Sequence, residues 1–187
     1  IRNDSVDFTE KEWDDVMDIN VKATFFMCQA VARQFIKQGN GGKIVNVSSL
    51  SAKYAFNTIS VYAATKAGVS QLSKAMAREW VGDNIQVNAI LPGWIDTALT
   101  KRAREQISGL HDNVLRRTPA GRWGVPDDFA GIAVFLSAAP SMLPSMYHLM
   151  THLDLGDGVV FDPDSVKADA IREDNTYGGT RITLVAR

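Results

Sequence analysis

KIVNVSS, at residues 43–49, decides the fold of this chain. Residues 43–47 form a short run rich in β-branched side chains, which is typical of a strand buried in a sheet. Ser48 and Ser49 follow directly, so two hydroxyl groups stand where this strand ends. We therefore expect polar chemistry at the carboxyl end of a buried strand, which is the edge where open parallel sheets bind ligands.

Helical patterns alternate with strand patterns along the chain. The run TEKE at residues 9–12 is a capping box, in which a threonine hydroxyl and a glutamate carboxylate satisfy free amides at a helix start. Apolar residues at helical spacing then predict one helix over residues 9–38, ended by a glycine-rich turn. A second helix is predicted over residues 59–81 and a second buried strand over residues 85–91. This alternation implies right-handed crossovers and a parallel sheet flanked by helices.

The last part of the chain changes in character near residues 140–150. Before that point, helices are predicted over residues 96–116 and 126–138, and the second of these has a proline in its first turn. After it, prolines, methionines and acidic sequence with glycines replace the periodic pattern. The sequence therefore predicts an α/β domain over residues 1–139 and a divergent tail over residues 140–187.

The composition indicates a globular chain without a charge excess. Its 187 residues are 45% apolar and 22% charged, and 20 lysines and arginines balance 21 aspartates and glutamates. We therefore expect a small-molecule substrate and neither a nucleic acid nor a membrane as partner. The single cysteine, Cys28, lies in an apolar stretch and is interpreted as a core residue. No apolar run in the sequence approaches the roughly 18 residues that span a bilayer. The cytoplasm is the expected compartment.

Tyr62 and Lys66 lie four residues apart on the second predicted helix, so their side chains share one face. A lysine ammonium close to a phenol favours the phenolate, which makes a tyrosine usable as a general acid or base. The same spacing is common on the solvated face of a helix, and that alternative is the more frequent one when the pair is considered alone. The position of Ser49 strengthens the functional interpretation.

Ser49 and Asn20 are two further candidates. Ser49 follows the first buried strand, where its hydroxyl could donate to a substrate oxygen as charge develops on it, whereas Ser48 and Ser51 could be turn residues only. Asn20 shares a helical stripe with apolar residues, where an unpaired amide is costly to bury. It should therefore meet a polar partner, which is either a functional group or the backbone of the core.

Four motifs resemble, in order and spacing, those of the short-chain dehydrogenase/reductase family. They are MDINV around Asn20, IVNVSS ending at Ser49, YAATK from Tyr62 to Lys66, and Pro92-Gly93 before Thr97. The resemblance covers about residues 1–138 and implies an α/β fold, the carboxy-terminal part of a Rossmann-type parallel sheet flanked by helices, with the first βαβ units absent. Residues 6–10 and 120–124 are similar to the sugar and sugar-acid branch of the family, such as deoxygluconate dehydrogenases.

The resemblance implies a role for each matching residue in an oxidoreductase that interconverts a secondary alcohol and a ketone. Tyr62 would exchange a proton with the substrate oxygen, which Ser49 would steady. Lys66 would favour ionised Tyr62 and contact the nicotinamide ribose, and Asn20 would hold a water that links Lys66 to solvent. NAD or NADP would supply the hydride chemistry. The residues expected around the cofactor are Tyr62, Lys66, Pro92, Gly93, Ile95 and Thr97.

The cofactor phosphates present a difficulty. In the family a glycine-rich turn, which lets the backbone approach the pyrophosphate, precedes the segment that Ile1 matches. No such cluster stands between a strand and a helix in these 187 residues, so we expect the residues alone to bind NAD or NADP weakly. Sheet edges without neighbours predict marginal stability or homo-oligomers, and the family usually associates through the helices that match residues 9–38 and 59–81.

The tail departs from the family. It resembles part of an abortive-infection nucleotidyltransferase toxin in the segments VVFDP at 159–163, IRED at 171–174 and YGGTR at 177–181, which suggests a fused reading frame. His148, His152 and Asp154 could be metal ligands, but two histidines and one carboxylate are too few, so no metal site is predicted. The alternative to an oxidoreductase is a catalytically silent, truncated or chimeric module that oligomerises. A third hypothesis, a nucleotidyl-transfer protein, depends on the tail only.

Overall fold

The computed structural model of the chain describes residues 1–138 and 148–149, which divide into two units. The first unit contains residues 1–93 and 132–138 together with the short strand at 148–149, and the second contains residues 94–131. The predicted tail, the boundary before it and the side chains of the candidate metal ligands lie outside the described residues.

A parallel sheet forms the centre of the first unit. Its strands, in the order β1-β2-β3, are β1 Gly42–Val47, β2 Ile85–Ile90 and β3 His148–Leu149. Gly42 lies opposite Ile85 and Val47 opposite Ile90, so β1 and β2 pair along their whole length. The two strands predicted from the sequence are confirmed. Within the described part of the chain, the other edge of β1 has no strand beside it.

The single helix predicted over residues 9–38 is wrong in its middle. The structure instead has α1 Glu10–Met17, a π-helical turn Asp18–Lys22 and α2 Ala23–Gln38. Two side chains bond to helical carbonyl groups at this turn: the Asn20 amide donates to Val16 O at 3.0 Å and the Thr24 hydroxyl donates to Asn20 O at 2.8 Å. Such bonds compete with the backbone ladder, and π-helical turns occur frequently at functional sites.

The ends of the helices follow the sequence signals. The Thr9 hydroxyl accepts from Glu12 N at 3.2 Å and the Glu12 carboxylate accepts from Thr9 N at 2.9 Å, so the capping box is confirmed. Gly39 ends α2 with a φ of 70°, in the left-handed region that favours glycine. The helix predicted over residues 59–81 is α3 Ser60–Glu79. Among the described residues, none of the helices combines the length and the apolarity that crossing a membrane requires.

The core of the first unit lies between one face of the sheet and helices α2 and α3. Cys28 is a buried member of it, as the sequence indicated, and its thiol donates to the side-chain Oδ1 of the buried Asn46 at 3.3 Å. Gly42 begins β1 beside the ring of Phe35, and a Cβ at this position would overlap that ring. The buried members of the core are Cys28, Ala32, Ile44, Met76, Ala77, Ile85 and Val87.

The second unit is built from short helices around a buried tryptophan. The helix predicted over residues 96–116 is wrong in its centre: α4 Ala98–Gln106 and α5 Leu110–Arg117 are separated at Gly109, whose φ is 73°. A glycine at positive φ breaks the helical path, and α5 starts again directly after it. The helix predicted over residues 126–138 begins as a 3-10 turn, Pro126–Phe129, and continues as α6 Ala130–Ser137.

Trp123 is the centre of the second unit. It is 7% exposed, and its indole donates to His111 Nδ1 at 3.2 Å, while the two rings stack. The Arg104 guanidinium lies 4.4 Å from the indole centroid and also pairs with Asp96. Trp94 meets the same indole edge-on at 5.7 Å. Aromatic and cation–π contacts therefore take the place of a larger apolar core in this unit.

Gly42→Ala tests the packing of β1 against α2. The added methyl group requires the Phe35 ring to move within the core, so we expect the free energy of unfolding to fall by about 1–3 kcal/mol. Gly82→Ala is the matched control, because a Cβ there meets no atom within 4 Å. Urea denaturation of both variants measures the effect, and equal stabilities would contradict the packing assignment.

Candidate active site

The carboxyl ends of β1 and β2 meet at one edge of the sheet. Past the end of the strand ladder, Ser48 N donates to Ile90 O at 2.8 Å and Leu50 N donates to Pro92 O at 2.9 Å. These bonds keep the segment that follows β1 beside the segment that follows β2. Ser49 therefore lies next to the Pro92 connection, at the edge where parallel sheets bind ligands.

Ser49 is half-buried and has a defined hydrogen-bond geometry. It is extended, with φ −163° and ψ 157°, and caps the 3-10 turn Leu50–Ala52. Its Oγ accepts from Ser51 N at 3.1 Å. A serine hydroxyl has one donor and two acceptor positions, so this bond leaves the Ser49 proton available to a substrate oxygen.

Tyr62 and Lys66 lie one turn apart on α3, as predicted, and both are half-buried. Lys66 Nζ lies 5.7 Å from the centroid of the Tyr62 ring and donates to Val47 O at 3.0 Å. Val47 is the last residue of β1 and precedes Ser49 by two positions. The structure therefore brings Ser49, Tyr62 and Lys66 together around the end of β1.

Burial sets the electrostatics of Lys66. Desolvation lowers the pKa of its ammonium from the ordinary value of 10.5, because the surroundings disfavour the charged form. The Val47 carbonyl, a dipole without net charge, compensates this cost in part. A cation that is partly desolvated and lies near a phenol interacts with a phenolate more strongly than it would in water.

Ser48 and Ser70 support this arrangement, a role that was not predicted from the sequence. Ser48 Oγ donates to Lys66 O at 2.7 Å and accepts from Ser70 Oγ at 2.8 Å, and both serines are buried. The two hydroxyls join the end of β1 to the middle of α3. A signal was present, because Tyr62, Lys66 and Ser70 follow one another at intervals of four and form a polar stripe on one helix face.

Asn20 lies in the π-helical turn that separates α1 from α2. Its side-chain amide donates to Val16 O, which is the core alternative that the sequence left open. The π-helical turn packs against α3, and Val21 Cγ2 lies 3.8 Å from the position of a Cβ on Gly68. The structure therefore places Asn20 beside the helix of Lys66, and its described bonds are to Val16 and Thr24.

The predicted cofactor residues after β2 divide between the two units. Pro92 and Gly93 end the connection beside Ser49 in the first unit, and a Cβ on Gly93 would meet no atom of the described residues within 4 Å, which leaves its backbone open among them. Ile95 and Thr97 belong to the second unit. Ile95 forms an isolated parallel bridge with Gly124, and Thr97 caps α4. Their assignment to a cofactor stays a prediction.

The described residues fit one end of a dinucleotide. A nicotinamide and its ribose would suit the groups at this edge. Lys66 provides a cation, Tyr62 provides a phenol, and the open backbone at Gly93 allows a close approach. A pyrophosphate cradle needs a glycine turn between a strand and a following helix. In residues 1–138 the glycines at positive φ are 39, 41, 109 and 121, and none of them leads from a strand into a helix.

Known proteins share this sequence over most of its length. A family model described as enoyl-(acyl carrier protein) reductase matches residues 1–143. The 2-dehydro-3-deoxy-D-gluconate 5-dehydrogenase of Escherichia coli (strain K12) is 48% identical over 142 residues, and that of Dickeya dadantii (strain 3937) is 46% identical over 140 residues. The chain belongs to the short-chain dehydrogenase/reductase family. Each of these alignments covers 75% of this chain and 55% of the relative, so the chain spans about half the length of the curated relatives it matches.

Solved structures of short-chain dehydrogenases/reductases confirm the fold class. A gluconate 5-dehydrogenase from Burkholderia cenocepacia J2315, in complex with NADP and tartrate, superposes with a TM-score of 0.75 at 38% identity over 80% of this chain and 58% of its own. A short-chain dehydrogenase from Leptospira borgpetersenii with bound NAD+ gives 0.74 at 30% identity over 82% and 60%. The family model ends at residue 143, so the resemblance of the tail to a nucleotidyltransferase toxin stays a prediction.

The lowered pKa of Lys66 predicts a pH-dependent contribution to stability. The unfolded chain binds the Lys66 proton more tightly than the folded chain, so the free energy of unfolding should rise as pH increases toward 10.5. Lys66→Met removes this contribution, so the stability of the wild type relative to the variant should increase from neutral pH toward 10.5.

Urea denaturation of both proteins across that pH range measures the difference. Lys74→Met, an exposed position on the same helix, is the matched control and should show no such trend. A difference for Lys66→Met that stays constant with pH would contradict the burial of the ammonium.

Proposed function

We propose that this chain carries the catalytic part of an NAD(P)-dependent oxidoreductase that interconverts a secondary alcohol and a ketone on a sugar acid. The observation that carries the proposal is the Lys66 ammonium, which bonds to the end of β1 while it lies 5.7 Å from the Tyr62 ring. Ser49 follows that strand end directly. These three groups are a cation, an acid–base group and a hydrogen-bond donor that converge on one edge of a sheet.

Each group has a defined task in the proposed reaction. During oxidation Tyr62 accepts the hydroxyl proton of the substrate, and during reduction it returns that proton to the carbonyl oxygen. Ser49 donates its hydroxyl to the same oxygen, since its own acceptor bond is made with Ser51 N. Lys66 places its positive charge 5.7 Å from the centroid of the Tyr62 ring and would hold the nicotinamide ribose. NAD or NADP, when bound, supplies the hydride acceptor or donor.

Asn20 is the fourth residue of the proposal and takes no direct part in bond making. We assign to it the water that connects Lys66 with solvent, so that the Tyr62 proton has an exit. The π-helical turn supports this assignment, because it packs against α3 close to Gly68, two residues after Lys66. Asn20 is half-buried there, and its amide bond to Val16 O fixes the side chain.

The relatives support the substrate class. Among them are 2-dehydro-3-deoxy-D-gluconate 5-dehydrogenases and a gluconate 5-dehydrogenase of Gluconobacter oxydans (strain 621H), which is 44% identical over 137 residues. The compounds in these names share a hydroxylated carbon chain that bears a carboxylate. We therefore propose a small sugar acid as substrate, NAD or NADP as cofactor and the cytoplasm as compartment.

A second candidate function is self-association without catalysis, as a homo-oligomer. Large apolar side chains are exposed along the α1 to α2 region: Ile19 is 73% exposed, Phe26 55% and Met27 67%. Apolar surface of this kind favours association with a second copy. The helices over residues 9–38 and 59–81 are the proposed surface, and an oligomer that lacks activity would favour this candidate.

The oxidoreductase proposal is tested with Tyr62→Phe and Lys66→Met. Because both remove proton transfer or its support, we expect each to lower kcat/KM for gluconate oxidation with NAD or NADP by about 10²- to 10⁴-fold. Lys74→Met is the control and should retain the wild-type rate. A Tyr62→Phe variant or a Lys66→Met variant that keeps the wild-type rate would refute the proposal.

A further inference from the structure

The indole of Trp123, at the centre of the second unit, donates to a histidine. Its N–H meets His111 Nδ1 at 3.2 Å, and the two rings lie nearly parallel, with 8° between their planes. An indole N–H can only donate, so Nδ1 of His111 is the acceptor and carries no proton. The folded second unit therefore holds His111 as the neutral imidazole, with the ring proton on Nε2.

The two partners differ in burial. Trp123 is 7% exposed, whereas His111, in the first turn of α5, is exposed. A proton from solvent therefore reaches the imidazole while the unit is still folded. Protonation at Nδ1 turns the acceptor into a donor, and the buried indole N–H loses the group to which it donates. Because an unpaired buried donor is costly, the cost of protonating His111 falls on Trp123.

A second cation already lies against the same indole. The Arg104 guanidinium is 4.4 Å from the centroid of the Trp123 ring. An imidazolium at His111 would bring two positive charges to one tryptophan side chain, and like charges at this range repel each other. Charge repulsion therefore acts in the same direction as the loss of the hydrogen bond.

The carboxylates of the neighbouring elements are committed to other cations. Asp96, before α4, pairs with Arg104 and with Lys101 of that helix. Asp128 accepts from the Arg122 guanidinium through two bonds of 2.8 and 2.9 Å. None of the ion pairs in the part of the chain that the structure describes includes His111. These carboxylates therefore do not offset the cost of an imidazolium.

The charges on α5 itself give no such compensation either. Asp112 follows His111 directly and is exposed, and neighbours in sequence do not face each other on a helix. Arg116 and Arg117 end the helix and add positive charge. The surroundings of His111 thus favour the neutral imidazole over the imidazolium.

The backbone next to Trp123 is tied to the segment that precedes α4. Gly124 N donates to Trp94 O at 2.9 Å, and Asp96 N donates to Gly124 O at 2.7 Å. Ile95, which is one of the residues predicted to contact the cofactor, lies between these two bonds and forms a bridge with Gly124. A displacement of Trp123 therefore reaches the segment that contains Ile95.

We propose that the hydrogen bond between His111 and Trp123 is a pH-sensitive switch in the second unit. Neutral His111 holds the start of α5 on Trp123, and protonation releases it. Imidazole is the side chain that ordinarily changes charge between pH 5 and 8, so the bond is made at pH 8 and is lost toward pH 5. The inference goes beyond the proposed function, because it concerns the response of this unit to acid and requires neither substrate nor cofactor.

NMR of the Trp123 indole N–H in the full chain tests the switch. Labelling with ¹⁵N-tryptophan restricts the spectrum to the 4 tryptophans, and the Trp123 signal is assigned from the backbone. From pH 8 to pH 5 the wild-type signal should move toward the position of an indole without an acceptor. Its protection factor against hydrogen exchange should fall by about 3- to 10-fold, which corresponds to the loss of one neutral hydrogen bond.

Two substitutions of His111 separate the bond from the charge. His111→Gln keeps an acceptor that does not titrate, so the Trp123 signal should stay at the bonded position at both pH values. His111→Phe has no acceptor and should give the acid-form signal at both. His152→Gln is the matched control, because it removes a different imidazole, and it should titrate like the wild type. A wild-type signal that is unchanged between pH 8 and 5 would overturn the proposal, and so would a change that persists in His111→Gln.

Discussion

Ser48 joins the sheet to the helix that carries the candidate catalytic residues. Its backbone N–H donates to Ile90 O at 2.8 Å and extends the β1–β2 ladder beyond the end of the strands. Its hydroxyl donates to Lys66 O at 2.7 Å and so fixes α3 against the same strand end. Ser48 is 3% exposed and its Oγ also accepts from the buried Ser70 hydroxyl at 2.8 Å, so loss of this side chain would leave a buried hydroxyl without its acceptor, which is costly. Ser49 therefore keeps its place relative to Tyr62 and Lys66.

The chemistry of the site follows from this attachment. Lys66 Nζ donates to Val47 O at 3.0 Å, and burial lowers the pKa of this ammonium. The same helix face presents Tyr62, and the π-helical turn that contains Asn20 packs against α3 near Gly68. A rigid strand end, instead of a mobile loop, thus positions a donor, a phenol and a cation, and preorganised groups of this kind need little rearrangement during reaction.

Much of the fold and of the site could be predicted from the sequence, and the failures have physical causes. β-branched runs identified both strands, and local capping signals identified the start of α1 and the end of α2, because those patterns act within a few residues. The π-helical turn was missed because it depends on a side-chain bond from Asn20 to Val16 O. The break between α4 and α5 was missed because it depends on the positive φ of Gly109. Ser48 was left as a possible turn residue, because its partner lies 18 positions away on another element.

The attachment of α3 by Ser48 is tested most directly by the pKa of the Lys66 side chain, measured by heteronuclear NMR of labelled lysine. In the wild type the pKa should lie below 10.5, because the ammonium is desolvated. In Ser48→Ala the helix loses its bond to the end of β1 and Lys66 gains water, so the pKa should rise toward 10.5. The exposed control Ser108→Ala should match the wild type. An unchanged Lys66 pKa in Ser48→Ala would contradict the account.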